Sequence, residues 1–275
     1  MQVFYQKYDL FLVFLHIMKI IMIGAGNLAT SLAVALTDAG HDILQVYSRT
    51  MQSAQTLATI AGGAAVTDIS QVRADADVYI LSVKDDALPV LIPQLCRGRE
   101  DKLFLHTAGS VSIDVFQGMA RHYGVFYPMQ TFSKETIVPF TDIPIFLEAD
   151  SAETLDVLNE LARTLSSHIY HLSTDDRKYL HLAAVFACNF ANHCMALSAD
   201  VLGRIGIPFD VMLPLVDQTV RKLHTMSPVD AQTGPAVRHD NNVISSQHHL
   251  LDDNPKMQNV YDLLTNSIYE KSTNK

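Results

Sequence analysis

A chain of 275 residues is long enough for two domains of ordinary size, each with its own core. A composition that is 48% hydrophobic and 18% charged excludes collagenous, disordered and repeat classes. With a formal net charge of -9 and no run among its 20 Lys and Arg residues, the chain lacks a basic footprint, so no nucleic-acid partner is expected. Cys96, Cys188 and Cys194 have no metal-type spacing and read as reduced core residues of a cytoplasmic protein.

In chain order, the run from Leu10 to Ile23 is apolar except for His16 and Lys19. It is too short and interrupted to span a bilayer, and no membrane association is expected. Met18 reads as an alternative start, with residues 1–17 as an extension. KIIMI from Lys19 to Ile23 is a buried parallel strand, the turn GAGNLA follows, and residues 26–39 are a helix ended by Gly40. DILQVYSR is a second strand. A helix from Thr50 to Ala61 leads into the strand AAVT, and DVYILSV from Asp77 to Val83 is another. A helix over Asp85–Leu95 with an aspartate cap, a strand over Lys102–His106, a helix begun by Ser112 and a strand over Gly124–Tyr127 continue the pattern. IPIFLEA, a helix over Ala152–Leu165 and a strand over His168–Leu172 complete it. Strand–helix alternation predicts a mostly parallel sheet with right-handed crossovers. Beyond residue 172 only helical periodicity remains. The expected domains are therefore 18–172 and 173–275.

Gly24, Ala25, Gly26, Asn27, Leu28 and Ala29 match the pattern GxGxx(G/A) between a strand and a helix. The first glycine makes the tight turn, the second admits a pyrophosphate to the backbone, and Ala29 lets helix and strand pack closely. Free N–H groups and the helix dipole would hold the phosphates. The second strand ends in Tyr47, Ser48, Arg49 and Thr50, without the carboxylate that binds an NAD ribose. Arg49 suits a 2′-phosphate, with Ser48 and Thr50 as hydroxyl donors, so the expected cofactor is NADP. Arg49 as a solvated surface residue and Thr50 as a helix cap are the bland alternatives.

With LSVKDDAL from Leu81 to Leu88 added, the first 170 residues resemble the pyrroline-5-carboxylate reductase-like NADP oxidoreductases. HTAGS (His106–Ser110), FYPMQTF (Phe126–Phe132), KYLHLAAVFACNFANH (Lys178–His193) and TGPAVRHD (Thr233–Asp240) make the chain more similar to bacterial Rossmann-like proteins with a C-terminal domain of unknown function. That resemblance covers residues 18 to about 270. It implies an α/β fold, a Rossmann domain followed by an all-helical domain, a nucleotide cofactor and a homodimer through the helical domain. The second domain lacks the glycine-rich helix start with which pyrroline-5-carboxylate reductases bind the imino acid, so the resemblance does not extend to proline synthesis.

For hydride transfer a proton donor must sit beside the nicotinamide. Strand ends at Ser82, Val83, Lys84, His106, Thr107 and Gly109 are expected in the crevice, the first five against the cofactor and Gly109 against substrate. His106 as a strand-end histidine bonded to backbone is equally consistent. At 100° per residue, Lys178, His181, Asn189, Asn192 and His193 share a stripe of about 120° on one buried helix, opposite a seam of Ala183, Ala187, Ala191 and Cys194. The spacing of Lys178 and His181 looks similar to the Lys and Asn of 3-hydroxyacid dehydrogenases. Lys178 or His181 is the candidate proton donor, Asn189 an orienting amide and Asn192 a substrate contact; a hydrogen-bonded dimer interface is the alternative. Pro235 is expected to open a helix from which Arg238 binds a substrate carboxylate, held by Asp240, unless the two form a surface pair. His248 and His249 stand alone, and no metal is expected. These features describe an NADP(H)-dependent oxidoreductase moving a hydride to or from a small carbonyl, imine or hydroxyacid substrate. An NADP-binding sensor or a dimeric scaffold without catalysis is the competing description.

Overall fold

A computed structural model describes residues 17–134 and 136–273. Most of the N-terminal extension therefore lies outside the described residues. The chain divides into two compact units, the first ending at Val185 and the second running from Phe186 to Lys275.

The first unit is built on strands β1 (Lys19–Ile23), β2 (Asp42–Tyr47), β3 (Ala64–Val66), β4 (Val78–Leu81), β5 (Leu103–His106), β6 (His122–Pro128), β7 (Ile145–Ala149) and β8 (Ile169–His171). They form one sheet in the order β3-β2-β1-β4-β5-β6-β7-β8. All pairs are parallel except β6–β7. Helices α1 (Asn27–Asp38), α2 (Met51–Ala61), α3 (Leu88–Cys96), α4 (Ala152–Arg163) and α5 (Thr174–Ala184) complete the unit. Along β1 and β4 the side chains alternate between two cores: Ile20, Met22, Val78 and Ile80 join Leu32, Leu36 and Leu158 on one face. Ile21, Ile23, Tyr79 and Leu81 join Leu88, Ile92 and Phe116 on the other. A strand covered on both faces is apolar at its buried positions, which is why Ile20–Ile23 form a continuous run after the exposed Lys19.

No side chain caps α3; Asp85 lies in a short 3₁₀ turn, and the α-helix starts at Leu88 with Pro in its first turn. Ser112 does accept the backbone N–H of Asp114, but what it starts is a 3₁₀ turn, Ile113–Phe116. Finally, α5 passes into a π-helix, Val185–Phe190, before α6 (Ala191–Gly203). A π turn advances each residue by less than 100°, so the stripe expected from Lys178 to His193 does not run through it. Nor is this helix buried: Leu182, Phe186 and Phe190 are exposed, as are Cys188 and Cys194, whereas Cys96 is buried.

The second unit continues with α7 (Leu213–Lys222), α8 (Pro228–Ala231), α9 (Asn241–His249) and α10 (Pro255–Thr273). Its buried apolar side chains are Leu202, Ala236, Leu251 and Met257, while Ile205, Leu215, Leu250 and Leu263 are each at least 64% exposed. Helix α9 starts at Asn241 rather than at Pro235, because Gly234 and His239 take positive φ and interrupt the turn between them. Asp240 caps that helix through Val243 N–H, and Arg238 makes no ion pair among the described residues. The continuous helix Thr174–Gly203 is long and apolar enough to cross a membrane by length and composition.

Within the first unit the guanidinium of Arg177, 1% exposed, is an internal tie. It pairs with Glu148 on β7 and donates to Val111 O at 2.5 Å, while Thr174 donates from N–H and Oγ1 to the same carboxylate. Removing one partner of a buried pair leaves an uncompensated charge. Glu148→Ala is expected to destabilise the protein by about 3–5 kcal/mol in urea unfolding.

Candidate active site

At the C-terminal ends of β1, β2, β4, β5 and β6 opens a cleft of about 700 Å³. It lies where the chain, having laid β2 and β3 to one side of β1, returns to the other side with β4, the point at which doubly wound sheets bind ligands. All its lining residues belong to the first unit.

One end is built from missing side chains. Gly24 has φ +117°, and a Cβ there would lie 2.0 Å from Ser82 O, so only glycine lets the β1 turn pass the end of β4. Around the Cβ position of Gly26 nothing lies within 4 Å. Gly26 is also the N-cap of α1, without a side-chain cap and without an acidic residue in the first turn. The helix therefore presents free N–H groups to an open cradle, which fits a pyrophosphate. Ala29 is fully buried at the helix–sheet contact, and Leu28 lines the cleft. Asn27 donates to Phe132 O at 3.0 Å and so ties the loop after β6 to this rim.

At the end of β2, Ser48, Arg49 and Thr50 line the same cleft, joined by Ser53. Thr50 accepts the N–H of Ser53 and caps α2. Arg49 is exposed and has no partner among the described residues. Ser82, Val83 and Lys84 line the middle with Asp85 and Asp86.

At the other end lie Thr107, Ala108, Gly109, Tyr127 and His181. His181 sits on α5, four residues after Arg177 and so on the same helical face. Its Nδ1 is 3.0 Å from the Tyr127 hydroxyl, and the rings meet edge-on at 71°. A Cβ on Gly109 would lie 2.7 Å from the same Nδ1, so the glycine is the space the imidazole occupies. Burial pushes the Tyr127 phenol above its ordinary pKa, opposed by the charge of Arg177.

Several expected residues stand elsewhere. His106 is fully buried outside the cleft lining, its Nδ1 accepting Ala108 N–H at 3.1 Å, so the backbone-bonded alternative describes it. Burial, and then the charge of Arg177, push its pKa down to about 3. Lys178 is half exposed, bonded to Asp175 at 3.0 Å and absent from the lining. Asn189, Asn192 and Arg238 belong to the second unit and are exposed. His248 and His249 are not alone: their ligand atoms lie within 4.8 Å of each other and of Asp252, and His248 also meets Asp262 at 3.2 Å. Tyr127 and Arg177 escaped notice in the sequence. The available signal for Tyr127 was its place at the C-terminal end of a parallel strand.

The family comparisons agree with this layout. Residues 19–109 match the family described as NADP oxidoreductase coenzyme F420-dependent, and residues 143–268 match a domain of unknown function, DUF2520. No curated protein matches the chain. A crystal structure from Bacteroides fragilis, provisionally assigned as an NADP oxidoreductase, is 50% identical, with TM-score 0.90 over 92% of this chain and 98% of that one. An imine reductase from Myxococcus stipitatus in complex with NADP+ is 18% identical, with TM-score 0.63 over 92% of each chain. A pyrroline-5-carboxylate reductase from Coxiella burnetii is 16% identical, with TM-score 0.59 over 94% of this chain and 98% of that one. The last two share the fold.

The buried neutral His106 has a consequence for acid stability. Its folded-state pKa, about 3, lies below the ordinary 6.5, so the unfolded chain takes up the proton first as pH falls. Stability held above the ordinary value is lost on acidification, by up to about 1.4 kcal/mol per pH unit. In urea unfolding, His106→Asn, which keeps an acceptor for Ala108, is expected to lose about 2 kcal/mol less than wild type between neutral pH and about pH 5.

Proposed function

Starting from membership of the NAD(P)-dependent oxidoreductase family that joins this nucleotide domain to DUF2520, we propose that the protein uses NADP(H) to reduce or oxidise a small carbonyl, imine or hydroxyacid substrate. One observation carries the reading: an open helix N-terminus at Gly26, an unpartnered Arg49 and the Tyr127–His181 pair line a single cleft. Gly24, Gly26 and the first turn of α1 hold the pyrophosphate, Ser48, Arg49 and Thr50 the 2′-phosphate, and Ser82–Lys84 with Thr107 the nicotinamide side. When bound, the nicotinamide supplies or accepts the hydride. His181 is the proton donor of the pair named from sequence, since Lys178 is spent on Asp175 outside the cleft.

The partner is a second copy of the chain. The second unit buries few apolar side chains of its own, while Phe186, Ile205, Leu215 and Leu263 are exposed. A self-complementary face covering them supplies the missing core. Light scattering without detergent is expected to give twice the chain mass; a monomer, or a particle that needs lipid, contradicts this.

The cofactor reading is tested by fluorescence titration with NADPH and NADH. Charge-assisted bonds from Arg49 are each worth about 1.5–3 kcal/mol, so Arg49→Ala is expected to weaken NADPH binding by about 10- to 100-fold and to leave NADH unchanged. Failure of wild type to bind either nucleotide would falsify the oxidoreductase reading.

A further inference from the structure

The Tyr127 side chain is 9% exposed and lines the cleft beside His181, and a hydroxyl so placed needs a hydrogen-bond partner. Among the described residues its hydrogen-bond partner is His181 Nδ1, at 3.0 Å. With the phenol as the donor of this pair, Nδ1 offers the lone pair. A neutral imidazole that accepts at Nδ1 carries its hydrogen on Nε2. Gly109 confines the ring from a second side, because any larger residue there would overlap Nδ1. His181 Nε2 has no protein partner among the described residues, and His181 lines the cleft.

We infer that Tyr127 is a positioning residue that fixes His181 as the Nε2–H tautomer, so that the cleft meets a hydrogen-bond donor, and that replaces the proton His181 gives up. The inference rests on the oxidoreductase reading and narrows it to reduction of a C=O or C=N group. As hydride reaches the electrophilic carbon, the π electron pair moves onto oxygen or nitrogen, where Nε2–H can bond to it. That atom takes the Nε2 proton while Nδ1 takes the phenolic proton, so the imidazole stays neutral throughout. Tyr127 is left as a phenolate that burial disfavours and the positive charge of Arg177 partly offsets, and it regains its proton from water. A phenol is a stronger acid than an alcohol or an amine, so the transfer to an alkoxide or amide anion runs downhill.

The tautomer is readable without substrate or cofactor. Long-range ¹H–¹⁵N spectra of histidine-labelled full-length protein, with the His181 signals assigned through His181→Gln, report which ring nitrogen is protonated. The expected result is a protonated Nε2 and an unprotonated Nδ1 in wild type. Tyr127→Phe removes the donor and keeps the ring, and the His181 signals are then expected to shift to a mixture of tautomers while NADPH affinity changes less than 2-fold. Should that variant not fold, Gly109→Ala, which displaces the imidazole with Tyr127 intact, is expected to give the same mixture. A protonated Nδ1 in wild type, or an unchanged Nε2–H tautomer in a folded variant, overturns the inference. Absence of nucleotide binding in wild type would instead strike the oxidoreductase reading and leave the tautomer result standing.

Discussion

The Arg177 guanidinium is taken out of water at the point where β7, the loop after β5 and α5 converge, and that placement sets the geometry of the His181 end of the cleft. Its bond to Val111 O fixes the loop whose earlier residues Thr107–Gly109 line the cleft, and its pairing with Glu148 fixes α5 against the sheet. One helical turn on, the same face carries His181. A buried pair of this kind repays little of its desolvation cost as net stability. The arrangement it ties together puts an imidazole against Gly109 and beside a phenol. The same charge also acts at a distance, holding His106 neutral and easing ionisation of Tyr127.

The two ends of the cleft follow different physical logic. At the nucleotide end, function depends on what is absent: no Cβ at Gly24 or Gly26, no capping side chain on α1, no carboxylate after β2. A doubly charged phosphate group is well served by backbone N–H groups and a helix dipole, which need no ordering of side chains. At the other end the work falls to side chains, and their positions must be enforced by packing. This explains why the first end is written in a contiguous motif, whereas the second draws on β6, β7, α5 and the loop after β5.

That difference also decides how much could be read from the sequence. Strand β1 is legible because its buried stretch Ile20–Ile23, covered on both faces, has no polar position, and the turn after it because glycine has few other reasons to recur at that spacing. His106 was ambiguous in the sequence, since a histidine at a strand end serves backbone or ligand equally well; its burial decides. Tyr127 stood inside the motif FYPMQTF that carries the family resemblance, but at the end of the apolar run VFYP a tyrosine reads as packing, so no role was assigned to it. Arg177 lay hidden among the charged residues of a helix start, where an arginine normally faces water. The partner that buries it, Glu148, is 29 residues away, and no local pattern links them.

The π segment Val185–Phe190 is the clearest case of structure that composition does not announce. Such a segment is rare, has poorer hydrogen-bond geometry than the α-helix, and tends to persist where it serves function. Here it follows the face that carries Arg177 and His181 and holds Phe186 and Phe190, which pack edge to face at 5.0 Å and are exposed. Had the α-helix continued, the phase set by Arg177 would have dictated which residues followed on every later turn. The wider turn breaks that phase. Residues upstream are placed by the cleft, while the downstream residues Phe186 and Phe190 are exposed, although both lie on one continuous helix.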